Sequence, residues 1–336
     1  MNGHLTARAW LRERSRLITL LDAGRADSKL PEQAEVKTGP WVAAGTSGAQ
    51  SKRIRRSPAL HRRAALTLLS LGRAAPGGLP PAWVTDPEVT ETVIWLNRLP
   101  PAFDGLKIVH LTDIHHSIFT PLEEVERAVH LANRLAPDLV ALTGDYVTMS
   151  PAFIGPVART LGKLRARLGV FAVLGNHDFQ VDASEVARAL RAHHIRVLRN
   201  SKHPIRAGKR TLWVLGVDDL WWNSDDLPAA LESVPPRDPK ILLCHNPHGI
   251  WEASTHGIDL VLSGHTHGGQ VRLPGLRSLY RSKLGERFVE GWNRLNGTQI
   301  YVNRGIGKVV VPIRVACPAE IAVLRLHRAH RHSGHH

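Results

Sequence analysis

Asp113 and His115 in "TDIH", Asp145 in "TGD", Asn176, His177 and Asp178 in "GNHD", His245 in "CHNP", and His265 with His267 in "SGHTHGGQ" share one feature. Each group closes an apolar run of the chain. Carboxylates, an amide and imidazoles are donors that borderline divalent cations such as Mn, Fe, Zn or Ni accept, and no thiolate joins the set. A single Asp after an apolar run is an ordinary turn former. Five such endings in succession are not explained by turns. His265 and His267 would face one way in an extended chain, and a turn at the flanking glycines would fan them around a point.

Two cations about 3.5–4 Å apart clamp the oxygens of a phosphate ester, lower the pKa of a bridging water and steady the leaving oxygen. Cations that close repel each other, so a carboxylate must bridge them. Asp145, at the end of the middle strand of the early series, is the natural bridge.

The elements that must position these groups are legible as patterns. "LKIVHLTD" (106–113), "DLVALTGD" (138–145), "GVFAVLGNHD" (169–178), "KILLCHNP" (240–247) and "IDLVLSGH" (258–265) read as buried strands. "LEEVERAVHLANRLAP" (122–137) has helical periodicity and stops at Pro137. Strands alternating with helices in the first half predict parallel βαβ units, and ligands bind such sheets beyond the carboxyl ends of the strands. The strand-rich second half predicts a second sheet packed against the first.

The formal net charge is +15, but residues 1–80 hold 14 Lys and Arg against 5 Asp and Glu, and the rest 30 against 24. Residues 1–83 therefore read as a basic leader or signal-like segment, 84–327 as the folded domain and 328–336 as a His-rich flexible tail. A leader of this kind can touch an anionic membrane peripherally. Specific nucleic-acid recognition is not expected, since no reading module accompanies the charge. The order around Arg62-Arg63, basic pair then "AALTLLSL" then small residues, resembles a twin-arginine-like export signal. Without export, a cytoplasmic or peripheral-membrane location is expected. No apolar stretch long enough for a transmembrane helix occurs. Two cysteines, Cys244 and Cys317, make no disulfide framework.

The series "DIH…GD…GNHD…H…GHTH" resembles the calcineurin-like metallophosphoesterase superfamily. "HTHGGQ" and "CPAEIAVLRL" are similar to a bacterial branch of membrane-surface or exported phosphodiesterases, some acting on lipid-linked sugar pyrophosphates. The resemblance implies an α/β fold of four layers, αββα, with two mixed sheets flanked by helices. It implies two divalent metal ions, with Mn favoured. Asp113, His115 and His267 would hold the first with Asp145, and Asn176, His245 and His265 the second with the same Asp145. His177 would touch the phosphate and assist the leaving group, and Asp178 would orient His177. The implied reaction is phosphodiester hydrolysis by a metal-bridging hydroxide. A phosphomonoesterase, a lipid-linked nucleotide-sugar pyrophosphatase and a noncatalytic metal-binding scaffold are the alternatives. The substrate would be a small or lipid-linked phosphate ester.

Thr148 stands where many relatives carry a further Asp. His116 and His248 occupy places where other residues are common, and both are expected as exposed surface histidines. Trp221-Trp222 in "DDLWWNSDD" (218–226) suits a substrate ring or a bilayer interface, although core packing of at least one is the expectation. "GLRSLYRSK" (275–283) reads as a basic loop that could meet anionic lipid or substrate phosphate.

Overall fold

The computed structural model describes residues 86–272 and 288–329. The leader, the 275–283 loop and the tail beyond Ala329 lie outside the described residues. The first half alternates strand and helix: β1 (Glu88–Leu96), β2 (Leu106–Leu111), α1 (Leu122–Arg134), β3 (Leu139–Leu142), α2 (Ile154–Leu161), β4 (Val170–Ala172), α3 (Asn176–Ala192) and β5 (Arg196–Val197). The second half is richer in strands: β6 (Ser201–Ala207), β7 (Arg210–Gly216), α4 (Leu227–Leu231), β8 (Lys240–Leu243), α5 (Ile250–Ala253), β9 (Leu260–Ser263), β10 (Gly291–Leu295), β11 (Thr298–Val302) and β12 (Glu320–Arg328).

These strands form two six-stranded sheets, in the orders β1-β12-β2-β3-β4-β5 and β10-β11-β9-β8-β7-β6. β2 to β5 run parallel, as the βαβ pattern predicts, and β7, β8, β9 and β11 run parallel in the second sheet. The last strand, β12, returns to the first sheet, antiparallel to β2 and parallel to β1.

Alternation along each strand builds four layers. Ile108, Leu139, Ala141 and Phe171 meet Ile241, Leu243, Leu260 and Leu262 between the sheets. The opposite faces of β2 and β3, with Val109, Leu111, Val140 and Leu142, pack under Val125, Val157 and Val186 of the three helices. On the far side, Leu242, Val261 and Ile300 pack against α4 and α5 through Ala230 and Ile250. Full burial of each such Leu or Ile contributes about 1.5–3 kcal/mol. α1 buries Val125, Ala128, Val129 and Ala132, the spacing of one helical face, and carries Glu123 and Glu124 in its first turn and Arg134 in its last. The fold is thus the α/β four-layer sandwich. Among the described residues no helix is long and apolar enough to cross a membrane.

The structure departs from the sequence reading in detail. β4 ends at Ala172, so Asn176, His177 and Asp178 sit in the first turn of α3 instead of on a strand. That helix breaks at Asp182 (φ −177°, ψ 93°), which accepts the Glu185 N–H and restarts it. β6 and β10 have no counterpart in the sequence reading. Both are edge strands, and β6 carries Pro204, which an edge tolerates.

Candidate metal centre

Beyond the carboxyl ends of both sheets the chain enters conformations that L-residues rarely adopt. Asp113 (φ 48°), His115 (φ 46°), Asp145 (φ 57°), His265 (φ 71°) and His267 (φ 52°) all have left-handed backbones. Such strain persists where surrounding structure over-determines it, and it clusters at functional sites. Here it turns side chains that would otherwise alternate across a strand into one crevice. Glycines let the loops close in. A Cβ on Gly264 would strike Asp113 Oδ2, and one on Gly175 would strike Asp145 Oδ1.

The donors fall into two sets that share Asp145. In the first, His115 Nε2 and His267 Nε2 are 2.9 Å apart, and Asp113 Oδ1 lies 3.2 Å from His267 Nε2 and 3.7 Å from His115 Nε2. In the second, Asn176 Oδ1 is 2.9 Å from His265 Nδ1 and 3.2 Å from His245 Nε2. Asp145 Oδ2 joins them, 3.5 Å from His115 Nε2 and 3.2 Å from His245 Nε2. Each carboxylate spends its other oxygen on backbone: Asp145 Oδ1 accepts the His177 N–H (2.8 Å) and Asp113 Oδ2 the His265 N–H (2.9 Å). Asp113, His115, Asp145, His245, His265 and His267 are all buried.

Divalent cations fit this arrangement. Donors about 2.0–2.2 Å from one ion stand roughly 3 Å from each other, which is the spacing seen here. The His245 Nδ1–H donates to the Thr143 carbonyl (2.7 Å), so Nε2 is the ring nitrogen that faces Asp145 and Asn176. Thr148 Oγ1 stands 2.5 Å from His115 Nδ1, a contact that fixes the ring so that Nε2 faces the crevice.

His177 is half-buried, edge-on to His115 (centroids 4.9 Å apart, 84°), and offers a ring nitrogen within 4.8 Å of ligand atoms of His115 and Asp145. Asp178 has a different set of partners from the one the resemblance assigns. Its Oδ2 accepts the N–H groups of Asp145 (2.8 Å) and Gly175 (2.9 Å), and its Oδ1 those of Tyr146 (2.8 Å) and Val147 (3.3 Å). No hydrogen bond joins it to the His177 ring among the described contacts. Both carboxylate oxygens are thus engaged by the backbone of the turn that carries Asp145 and by Gly175.

The electrostatics follow from burying many charges together. Burial alone would raise Asp145, but the His245 and His177 charges outweigh it and hold the carboxyl well below the usual range. Asp113 is likewise held low, against its burial, chiefly by His267. Burial and then the Asp145 charge push Asp178 up to about 8, against the pull of its N–H donors. Burial would lower His245, yet Asp145 raises it to about 10, while burial and His245 together hold His265 down to about 3. Paired acids and bases driven apart in this way mark a site built around charge.

Some residues went unrecognised in the sequence. The Arg314 guanidinium is tucked under the crevice and donates to the carbonyls of Arg304, Gly305 and Gly307. Gln270 holds the 309–313 loop through the carbonyls of Val309 and Val311 and the Val309 N–H. Neither has a local signal, because each acts on backbone more than thirty residues away in the chain or across a turn. Two expectations are corrected. His116 is 7% exposed, buried against Phe153 with Nδ1 on the Thr120 carbonyl, and His248 is half-buried. Neither Trp221 nor Trp222 is in the core.

Residues 106–269 match the family model for calcineurin-like phosphoesterases. The chain is 33% identical over 243 residues to the metallophosphoesterase YkuE of Bacillus subtilis, covering 71% of this chain and 85% of the relative. It is 33% identical over 224 residues to the phosphodiesterase YaeI of Escherichia coli, covering 66% and 82%. Among solved structures, a dimetal phosphatase from Danio rerio matches 67% of this chain and 93% of its own at 11% identity, with a TM-score of 0.45.

Proposed function

We propose a phosphodiesterase, on the premise that the chain belongs to the calcineurin-like phosphoesterase family. It is therefore a metal-dependent hydrolase of phosphate esters. One observation carries the two-metal form of the reading: two donor sets meet at a single oxygen, Asp145 Oδ2. Asp113, His115 and His267 would hold one cation and Asn176, His245 and His265 the other, with Asp145 common to both. When bound, the pair supplies charge for phosphate oxygens and a lowered pKa for water. The chain's own groups do the rest. Asp178 holds the Asp145 turn, Thr148 and the Thr143 carbonyl orient two imidazoles, and His177 stands at the mouth, where it contacts the phosphate and delivers a proton to the leaving oxygen.

The preference for a diester is supported by the name of the YaeI relative. Mn is the favoured metal, and the natural ester is either small or lipid-linked. Residues 1–83 would serve location, as a basic leader that brings a cytoplasmic or peripheral enzyme to an anionic surface. The test is turnover of the Mn-loaded protein on a chromogenic diester, the matching monoester and a lipid-linked pyrophosphate. Fastest turnover of the diester is expected. Faster turnover of either other substrate would replace the diester reading with that one, and two bound metals without any turnover would favour the scaffold.

A further inference from the structure

Trp221 is 66% exposed and Trp222 50% exposed, yet the turn that carries them is tied down by hydrogen bonds. Asp219 Oδ1 accepts the N–H groups of Trp221 (2.9 Å) and Trp222 (3.3 Å), and the turn closes at Asn223 with a left-handed backbone (φ 54°). The Trp222 indole donates its Nε1–H to the carbonyl of Asn176 (3.1 Å) and stacks on Phe179 (centroids 6.4 Å apart, 20°). Phe179 in turn carries the Arg199 guanidinium at 5.6 Å, and Arg199 is forked onto Asp218 at 2.7–3.0 Å. The Trp221 ring meets the His265 ring edge-on, with centroids 5.6 Å apart at 65°. Both indoles therefore border the second donor set directly, one through His265 and one through Asn176.

Large apolar rings left in water and fixed there call for something that covers them. Rigid indole faces bind a flat ring at little conformational cost, because the ordering is already in place. The surrounding segment "DDLWWNSDD" has four acids and no base, which disfavours contact with an anionic bilayer and leaves an uncharged planar ring as the better occupant. We infer that Trp221 and Trp222 form a stacking platform for a planar aromatic group carried by the phosphate ester whose phosphate is bound beside them. This inference rests on the hydrolase reading above and adds the part of the substrate that does not react.

The test uses the full-length Mn-loaded protein and ligands whose C–P bonds resist hydrolysis. Phenylphosphonate and the methylene-phosphonate analogue of AMP are compared with methylphosphonate and inorganic phosphate, by calorimetry and by quenching of tryptophan emission. At least one ring-bearing ligand should bind about tenfold tighter than methylphosphonate, with quenching. The tighter of the two tells whether the ring sits next to the phosphorus or a sugar away. Trp221→Ala should bring that ratio close to one while two metal equivalents remain, and Trp221→Phe should restore most of it. A ratio near one in the unaltered protein, or a ratio that survives Trp221→Ala, overturns the platform. Binding of inorganic phosphate without ring preference overturns this inference alone, whereas no binding of any phosphorus ligand to metal-loaded protein removes the hydrolase reading with it. A blue shift of emission on phosphatidylcholine vesicles without ring preference assigns the pair to a bilayer instead and also overturns the platform.

Discussion

Asp145 divides its two oxygens between backbone and crevice, and that division makes its charge hard to replace. Asn at this position keeps an acceptor for the His177 N–H but loses the negative charge shared by both donor sets. Two dications a few ångströms apart repel strongly in a buried site, so Asp145→Asn is expected to lose at least one metal equivalent and nearly all activity. Metal analysis alongside turnover checks this; two full equivalents with normal turnover would remove the two-metal reading. His177 differs in kind. It is half-buried at the mouth and outside both donor sets as proposed, so His177→Ala should keep both metals and slow turnover by about 10²–10⁴-fold. The loss should shrink for a diester with a very good leaving group, which needs no proton. An equal loss on that substrate would assign His177 to charge stabilisation alone.

The short turn that follows β3 is stapled by one carboxylate from the first turn of α3. Asp178 accepts four buried backbone N–H groups, and removing it leaves those donors unpaired. That costs about 1–3 kcal/mol for each donor left unsatisfied. Asp178→Ala is therefore expected to lower the unfolding midpoint clearly in metal-free protein, and to weaken metal binding because Asp145 is no longer held in its left-handed conformation. Calorimetric melting with and without Mn measures both effects. A variant as stable as the parent, with only its rate affected, would restore a role for Asp178 in orienting His177.

The whole molecule has a pH dependence written into the space between its sheets. His110, on β2, is fully buried with Nε2 2.8 Å from Thr143 Oγ1, and burial holds it down to about 4, despite the Glu320 and Asp113 charges. Between that value and the ordinary 6.5 the unfolded chain binds the proton and the folded chain does not. The contribution of His110 is thus complete above about pH 6.5 and falls as pH drops toward 4, by about 3 kcal/mol. His115 and His265 are lowered too and act in the same sense, whereas His245, raised by Asp145, acts in the opposite one. In chelated protein, urea midpoints at several pH values should fall less steeply with acid in His110→Leu than in the parent; parallel curves would show that His110 titrates normally. The other expectation at this scale concerns residues 1–83. A chain beginning at residue 84 should fold, bind two metals and cleave a soluble diester at the full-length rate. It should also lose salt-sensitive binding to anionic vesicles, since basic residues near such a surface contribute roughly 1 kcal/mol each. Failure of the shortened chain to fold would put the leader inside the domain.

Much of this is legible in the sequence alone. Apolar runs ending in Asp, Asn and His announce buried parallel strands and a cluster of donors, because side-chain chemistry and strand period are local properties. β2, β3, β8 and β9 lie within the stretches read as strands, and residues 113–267 contain the proposed donors. Edge strands are different: β6 and β10 bury little and are held by a neighbour's ladder, so no apolar run marks them. The return of β12 between β1 and β2, the partners of Asp178, the burial of His116 and the exposure of Trp221 and Trp222 were settled by tertiary contacts between distant segments. So was the geometry of the crevice. Residue types allow Asp113, His115, Asp145, His265 and His267 to bind metal, but only loops pressed together over Gly175 and Gly264 hold their backbones left-handed, and that strain is paid for by the packing of two whole sheets.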